Sequence, residues 1–217
     1  MFEQEKKHLV TTLIRDGYII TKAVENAFLA VSREDFLPPS LKKYAYVDTP
    51  LDIGKGQTIS APHMVAMMCE ALDIKKGQKI LEVGTGSGYH AAVVARLVGD
   101  TGHVYTIERF DTLAKQAQES LKHTKITNVT VEVGDGSCGL PHYQPYDQIY
   151  ITCAAPSIPQ PLLDQLNDPG KILAPIGDMY CELTLLEKKN GDTTTFHLGG
   201  CVFVPLMGRY GHAPYSL

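Results

Sequence analysis

The chain has 217 residues, of which 44% are hydrophobic and 20% charged, and its formal net charge is -4. This composition is typical of one globular domain with a sizeable core. Lysine and arginine never form a run longer than a pair, which argues against nucleic acid as the principal ligand. The charged N-terminal segment and the lack of 18 consecutive apolar residues favour a cytoplasmic protein without a signal peptide or a membrane partner.

The N-terminal segment is predicted to be helical and then irregular. Apolar residues recur at helical spacing in residues 6–19 and 21–31, whereas prolines interrupt residues 36–50. A further amphipathic helix follows the stretch GQTISAPHM, residues 56–64, because Pro62 suits a first helical turn. Ser60 stands where its hydroxyl would accept N–H bonds from that turn, so a structural cap is one interpretation of this residue.

From residue 79 onward, short apolar strands alternate with helical segments. This alternation predicts a parallel, doubly wound α/β sheet with right-handed crossovers. The predicted strands are residues 79–84, 103–108, 129–135, 147–153 and 171–177, and the predicted helices are residues 89–98, 112–123 and 159–166.

The last part of the chain changes pattern. Residues 181–189 and 193–206 flank Asn190-Gly191, a strong hairpin signal, so an antiparallel pair is expected to finish the sheet. Asparagine before glycine is also prone to isoaspartate formation, so this pair is either a plain turn or a site of self-modification. We expect one domain, residues 1–217, with three subregions. These are a helical part, 1–60, an α/β cofactor-binding core, 61–177, and antiparallel strands with a tail, 178–217.

The five cysteines are odd in number, lie far apart and form no C-x-x-C pair. This pattern fits neither a disulfide framework nor a zinc site. We therefore expect buried thiols for most of them and no bound metal.

The loop EVGTGSG, residues 82–88, lies at the carboxyl end of the first predicted parallel strand, where such sheets bind ligands. Its glycines allow a tight turn and the next helix presents free N–H groups to an anion. The dinucleotide fingerprint needs a glycine at position 89, but the chain has Tyr89. The loop also lacks the lysine of a triphosphate-binding loop, so a small carboxylate fits it better than a pyrophosphate.

Two acidic residues close the following strands. Glu108 ends the second strand, where a carboxylate can accept both hydroxyls of a ribose. Asp135 ends the third strand and is followed by Gly136, so its side chain can bind an adenine amino group while the glycine leaves space for the ring. Each acid alone is more typical of a solvated strand end or a helix cap. Together with the glycine loop they favour S-adenosylmethionine, with S-adenosylhomocysteine as its product.

These motifs resemble those of class I methyltransferases. GQTISAPHM, together with SREDFLPP (32–39), YVDTPLDIG (46–54), TCAAPSIPQPLLDQL (152–166) and FVPL (203–206), is similar to the protein-L-isoaspartate O-methyltransferase family. The resemblance implies a Rossmann-like methyltransferase sheet with N-terminal helices and an antiparallel C-terminal hairpin. It also implies methyl transfer to the free carboxylate of isoaspartyl residues in damaged proteins, by an enzyme that we expect to be a monomer.

The resemblance also implies roles for individual residues. The catalytic residue would be Ser60. The cofactor would be bound by Thr58, His63, Glu82, Val83, Gly84, Thr85, Gly86, Ser87, Gly88, Glu108, Arg109, Asp135 and Gly136. The substrate would be bound by Ile59, Ser60, Ala61, Val204, Pro205 and Leu206. His63 either lines the site in this way or is solvated in the first helical turn.

The expected reaction needs no strong base, because a carboxyl group with a pKa near ~4 is ionised at neutral pH. Ser60 is then predicted to hold and orient the substrate carboxylate rather than to act as a nucleophile. Two other functions stay open. One is a methyltransferase with another acceptor, such as a small carboxylate or RNA, although TCAAPS does not match the [DNS]-P-P-[YFW] motif of base methyltransferases. The other is a module that binds the cofactor without turnover.

Overall fold

The N-terminal part of the chain forms helices and one small hairpin. The computed structural model describes residues 2–178 and 180–213. The predicted helices are present as α1 (Glu3–Arg15) and α2 (Lys22–Ala30), and α3 (Pro62–Leu72) follows the GQTISA stretch. The irregular segment between α2 and α3 contains two short 3-10 helices, Arg33–Phe36 and Lys42–Tyr44.

The hairpin of β1 (Leu51–Gly54) and β2 (Gln57–Ile59) was not predicted, and it lies within residues 1–60, the subregion that we expected to be helical. Its strands have four and three residues, too few for an alternating pattern to emerge from the sequence. Lys55 and Gly56 at its turn have φ of 57° and 68°. The hairpin carries the chain directly into the residues before α3.

A seven-stranded sheet forms the centre of the molecule. Its strands are β3 (Lys79–Val83), β4 (His103–Glu108), β5 (Val129–Val133), β6 (Tyr146–Ile151), β7 (Leu166–Gly177), β8 (Cys181–Lys189) and β9 (Asp192–Cys201). The connecting helices are α4 (Tyr89–Val98), α5 (Asp111–His123) and α6 (Gln160–Asp164). The predicted alternation of strands and helices is confirmed.

The strand order is β5-β4-β3-β6-β7-β8-β9. The strands from β3 to β7 pair in parallel, whereas β8 pairs antiparallel with both β7 and β9. The winding reverses between β3 and β6, so a ligand is expected at the carboxyl ends of these two strands. The predicted turn at Asn190-Gly191 joins β8 to β9.

Each face of the sheet is buried in its own apolar cluster. On one face Ile80 packs with buried residues of α1 to α5, and on the other Leu81 and Val83 pack with α6 and Leu206. Neighbouring residues of β3 therefore point into different clusters, as the pleat requires. Burial on both faces explains why neither β3 nor β6 shows a simple alternation of apolar and polar residues.

Cysteine burial agrees with the prediction for most of the thiols, because Cys69, Cys153 and Cys181 are buried. Within residues 2–178 and 180–213, no helix has the length and apolar content that crossing a membrane requires. The same residues place no group of three or more His, Cys, Asp or Glu side chains where it could hold a metal ion. Residues 214–217 of the predicted tail lie outside the described residues, and the three-part division of the domain stays a prediction.

Candidate functional site

A cavity that is partly open to solvent lies at the carboxyl ends of β3, β4 and β6, and the empty space in it, including the open solvent at its mouth, is about 750 Å³. The structure brings most of the predicted site residues together around it. Predicted residues from the hairpin and the tail that line it are Thr58, Ile59, Ser60, Val204, Pro205 and Leu206. Predicted residues from the sheet that line it are Glu82, Val83, Gly84, Thr85, Gly86, Ser87, Glu108, Arg109 and Gly136.

The glycine loop after β3 has a backbone that other residues adopt with difficulty. Gly84 and Gly86 have φ of 99° and 53°. A Cβ atom on Gly84 would lie 2.3 Å from Oγ1 of Thr152, and one on Gly136 would lie 2.6 Å from Cγ1 of Val83. These glycines let the backbone approach its neighbours closely at the site.

Glu108 holds the glycine loop in place. Its carboxylate is buried at the end of β4 and accepts hydrogen bonds from the backbone N–H groups of Gly86, at 2.9 Å, and Phe110, at 3.0 Å. Each oxygen keeps further lone-pair capacity. Glu108 can therefore fix the loop and still accept hydroxyl groups from a ligand in the cavity.

Glu82 is a fully buried acid that lines the cavity from the end of β3. Its Oε2 accepts a hydrogen bond from Thr106, whereas Oε1 has no partner among the described residues. Burial raises the pKa of Glu82 to about 8, although the neighbouring hydroxyls of Thr106 and Tyr150 oppose the shift. The hydroxyl of Tyr150 lies close to Glu82 without completing a hydrogen bond to Oε1. A cationic group in the cavity would supply the missing partner of Oε1 and favour the ionised form.

Tyr89 explains why the loop departs from the dinucleotide fingerprint. Its buried ring packs on Phe36, with ring centroids 5.8 Å apart, and lies under the guanidinium of Arg33, 5.0 Å from its centroid. The residue that would be a glycine in that fingerprint instead anchors α4 to the N-terminal segment. The absence of a glycine here thus has a packing reason.

Ser60 is not the cap of α3, which corrects the structural interpretation of this residue. Helix α3 begins at Pro62 with Ala61 as its N-cap. The capping acceptor comes from the distant Asp48, whose Oδ1 lies 2.9 Å from the backbone nitrogen of His63. Since Asp48 performs this task, the hydroxyl of Ser60 is not needed by the helix and Ser60 lines the cavity.

Replacing Asp48 by alanine is expected to lower the free energy of unfolding by about 1 kcal/mol, the usual effect of losing a helix cap. Ser60→Ala is the matched control, and its free energy of unfolding should change by less than about 0.5 kcal/mol. Urea denaturation of both variants measures the difference. Equal destabilisation by the two substitutions would contradict the assignment of the cap to Asp48.

Four predicted residues do not line the cavity. Ala61 is the N-cap of α3 and Gly88 is the N-cap of α4, where an added Cβ on Gly88 would lie 3.1 Å from Cβ of Ala117. The ring of His63 contacts Asp48 through Nδ1 at 3.0 Å and packs on Tyr18, with ring centroids 5.2 Å apart. The predicted ligand contacts of Ala61, His63 and Gly88 stay predictions.

Asp135, the fourth, lies beneath the C-terminal tail. Its Oδ1 accepts hydrogen bonds from the backbone N–H and the hydroxyl of Ser137, and Oδ2 accepts the backbone N–H of Arg209 at 2.7 Å. Burial would by itself raise the pKa of Asp135, but these bonds lower it below the ordinary value. The second position on Oδ2 is taken by the weak thiol donor of Cys138, at 3.7 Å. Contact between Asp135 and the adenine ring stays a prediction.

The tail reaches the cavity through pairing with the chain after β6. The backbone nitrogen of Ala154 donates to the carbonyl of Val204, and that of Leu206 donates to the carbonyl of Ala154, both at 2.7 Å. This pairing fixes the segment from Val204 to Leu206 as one wall of the cavity.

Sequence reasoning missed several lining residues, which are Gln57, Val65, Tyr89, His90, Ile107, Thr152, Cys153 and Met207. His90 is hidden in an apolar helix, and burial lowers the pKa of this residue to about 3, so that its ring is neutral. Thr152 follows β6 directly and accounts for the glycine at position 84 through its hydroxyl, which donates to the carbonyl of Gly84 at 2.6 Å. Thr152 could have been predicted from the sequence, because it is a polar residue directly after a strand beside which the winding of the sheet reverses.

Comparison with known proteins identifies the family. The profile described as protein-L-isoaspartate(D-aspartate) O-methyltransferase matches residues 4–211. The chain is 53% identical over 203 residues to a protein-L-isoaspartate O-methyltransferase of Methanococcus aeolicus, with 94% of each chain covered.

Solved structures agree with this result. One protein-L-isoaspartate O-methyltransferase superposes with a TM-score of 0.86 at 30% identity, covering 95% of this chain and 67% of its own. A second, described as a putative protein-L-isoaspartate O-methyltransferase of Plasmodium falciparum in complex with S-adenosyl-L-homocysteine, gives 0.83 at 30% identity, covering 93% and 97%. The sheet thus has the Rossmann-like fold of class I methyltransferases, and the chain belongs to the protein-L-isoaspartate O-methyltransferase family.

Proposed function

We propose that this chain methylates the free carboxylate of L-isoaspartyl residues in damaged proteins and that Ser60 orients this carboxylate. The observation that carries the proposal is the position of Ser60 in the cavity wall, with its hydroxyl released from helix capping by Asp48. S-adenosylmethionine supplies the methyl group in an electrophilic form and leaves as S-adenosylhomocysteine.

The residues around the cavity fit this cofactor. The carboxylate of Glu108 lies at a strand end suited to two ribose hydroxyls. The unpartnered Oε1 of Glu82 suits an ammonium group. Gly136 has no side chain where its backbone closes on Val83, and it lines the cavity. We include Arg109 among the cofactor residues because it lines the same region.

The main task of the protein groups is alignment of the reacting atoms. Aligning well-oriented reactants can lower the barrier by roughly 7 to 11 kcal/mol. The hydroxyl of Ser60 donates a hydrogen bond to one carboxylate oxygen and turns the other toward the methyl group. Val204, Pro205 and Leu206 bring an apolar wall to the site and exclude water from it. The carboxylate is already ionised at neutral pH, so no side chain has to remove a proton.

The proposed reaction is tested by methyl transfer from labelled S-adenosylmethionine to a peptide with one isoaspartyl residue, beside its aspartyl twin. We expect label in the isoaspartyl peptide alone. A small carboxylic acid and an RNA serve as further acceptors, and label in either of these with none in the peptide would overturn the proposal. Cofactor binding without transfer to any acceptor would instead support a non-catalytic module.

The raised pKa of Glu82 predicts a pH-dependent stability in the absence of cofactor. The ordinary pKa is 4.5 and that of the folded protein about 8, so the folded state binds the proton more tightly. The associated stability is fully present below pH 4.5 and is lost as the pH rises to about 8. The parent protein should lose on the order of a few kcal/mol of unfolding free energy between pH 5 and pH 9 because of Glu82. Glu82→Gln has no group to ionise at this position, so the variant should not show this loss.

Thermal unfolding at several pH values measures this effect. The matched control is Glu119→Gln, on the exposed face of α5, which should leave the pH profile unchanged. Parallel pH profiles for the parent protein and Glu82→Gln would contradict the assignment.

The groups for the cofactor and for the carboxylate both belong to this one chain. This supports the further proposals that the enzyme works as a monomer and that residues 1–217 form a single domain. Composition supports the cytoplasm as its location. Membership of the family supports isoaspartyl proteins and peptides as its partners.

A further inference from the structure

The turn between β8 and β9 carries the one Asn-Gly pair of the sequence. Asn190 and Gly191 are both exposed and have φ of 55° and 84°. The turn lies at the end of the sheet opposite to the cavity. Asparagine is among the thermolabile residues. A following glycine leaves the attacking backbone nitrogen unhindered, so this pair is prone to chemical ageing.

Ageing at such a pair follows a defined covalent route. The backbone nitrogen of Gly191 attacks the side-chain carbonyl carbon of Asn190, a new C–N bond forms, and the amide nitrogen leaves as ammonia. The backbone nitrogen gives up its proton in this step, and the product is a cyclic succinimide. Water then opens the ring to an aspartyl or an isoaspartyl residue. The reaction therefore needs a backbone N–H that can lose its proton and a backbone that can rotate.

Asp168 opposes both requirements. Its Oδ2 lies 2.6 Å from the backbone nitrogen of Gly191, and its Oδ1 lies 2.8 Å from that of Asn190. Hydrogen bonds to an ionised acceptor are stronger than neutral ones. A carboxylate beside the N–H disfavours loss of its proton, since two negative charges would then be adjacent. The paired bonds also hold both peptide units of the turn in one orientation.

We propose that Asp168 protects Asn190 from succinimide formation. The turn is thus a potential modification site whose reacting nitrogen is held by a residue far away in the sequence. The proposal is independent of the proposed function, because it concerns the covalent integrity of the chain and not its activity.

Another labile pair in the same chain gives an internal reference. Asp16-Gly17 is also exposed, but the backbone nitrogen of Gly17 donates to the neutral carbonyl of Ile14 at 3.1 Å. Isoaspartate formation at Asp16 should not respond to any change at Asp168.

The experiment is ageing of the purified full chain at mildly alkaline pH without a methyl donor, followed by peptide chromatography with mass spectrometry. Deamidation at Asn190 is read from its mass change, and isoaspartate at Asp16 is read as a separate chromatographic peak of unchanged mass. Asp168→Ala is expected to raise the deamidation rate by about 10-fold or more, the fold-change that corresponds to loss of a charged hydrogen bond. Asp168→Asn keeps a neutral acceptor and should give an intermediate rate. The matched control, Asp192→Ala, removes another carboxylate beside the same turn and should leave the rate unchanged.

Three outcomes would overturn the proposal. Equal rates in the parent protein and Asp168→Ala would show that the contact gives no protection. A slower rate in Asp168→Ala would show that the carboxylate acts as a base. A faster rate at both Asn190 and Asp16 would show general loosening of the fold instead of loss of one contact.

Discussion

Replacing Ser60 by alanine is expected to lower kcat/KM for an isoaspartyl peptide by about 10- to 150-fold. A hydrogen bond to a charged group contributes about 1.5 to 3 kcal/mol, and each 1.4 kcal/mol of barrier corresponds to about tenfold in rate. Because the hydroxyl does not cap α3, the variant should keep its fold and its cofactor affinity. Steady-state kinetics with the isoaspartyl peptide measures the loss.

Ser157→Ala is the matched control for this variant, since Ser157 is an exposed serine in the loop after β6. Its kcat/KM should equal that of the parent protein. An unchanged kcat/KM in a folded Ser60→Ala variant would remove Ser60 from the reaction, and a large loss of cofactor affinity would move its role from the carboxylate to the cofactor.

Replacing Gly84 by alanine is expected to weaken cofactor binding by more than about tenfold and to destabilise the fold. The backbone has φ of 99°, and the new Cβ would lie 2.3 Å from Oγ1 of Thr152. Strained backbone of this kind costs of order 1 to 3 kcal/mol, and the clash forces the loop or the end of β6 to move. Calorimetric titration with S-adenosylhomocysteine and thermal unfolding measure the two effects.

Gly17→Ala is the matched control, because Gly17 has a similar φ of 80° and nothing within 4 Å of the added Cβ. It should lose some stability but keep the parent affinity for the cofactor. Equal affinity in Gly84→Ala and the parent protein would show that the loop adapts, and that the close approach to Thr152 is not required for binding.

The sheet was predictable because its elements are long and strongly patterned. Helix α4 and strand β4 were predicted with the same bounds that the structure gives, and α5 differs by one residue at its start. The hairpin of β1 and β2 was missed, since each strand is shorter than the window in which periodicity can be read. Local pattern thus predicts the doubly wound core better than the segment that covers the site.

The site residues that the sequence predicts best lie at or just after the carboxyl ends of strands. Glu108 and Gly136 were identified because carboxyl ends of parallel strands meet at one edge, whereas the role of Glu82 came from the resemblance to a known family. Asp48 and Arg209 were not, since they act on His63 and Asp135 across 15 and 74 residues of sequence. No spacing rule connects such pairs. Asp48 caps α3 through its contact with His63, so the hydroxyl of Ser60 is not used as a cap. This could be recognised only from the three-dimensional structure.

The contact between Arg209 and Asp135 joins a late segment of the chain to the cofactor side of the sheet. During synthesis the strands from β3 to β6 leave the ribosome well before this segment does. A nascent chain therefore contains the glycine loop, Glu82 and Glu108 before the cavity wall from Val204 to Leu206 has been synthesised. The segment that covers Asp135 is also still missing at that stage. The binding site reaches its final form only after Gly208 and Arg209 have been synthesised, and proteolytic trimming that removes these two residues would uncover Asp135 again.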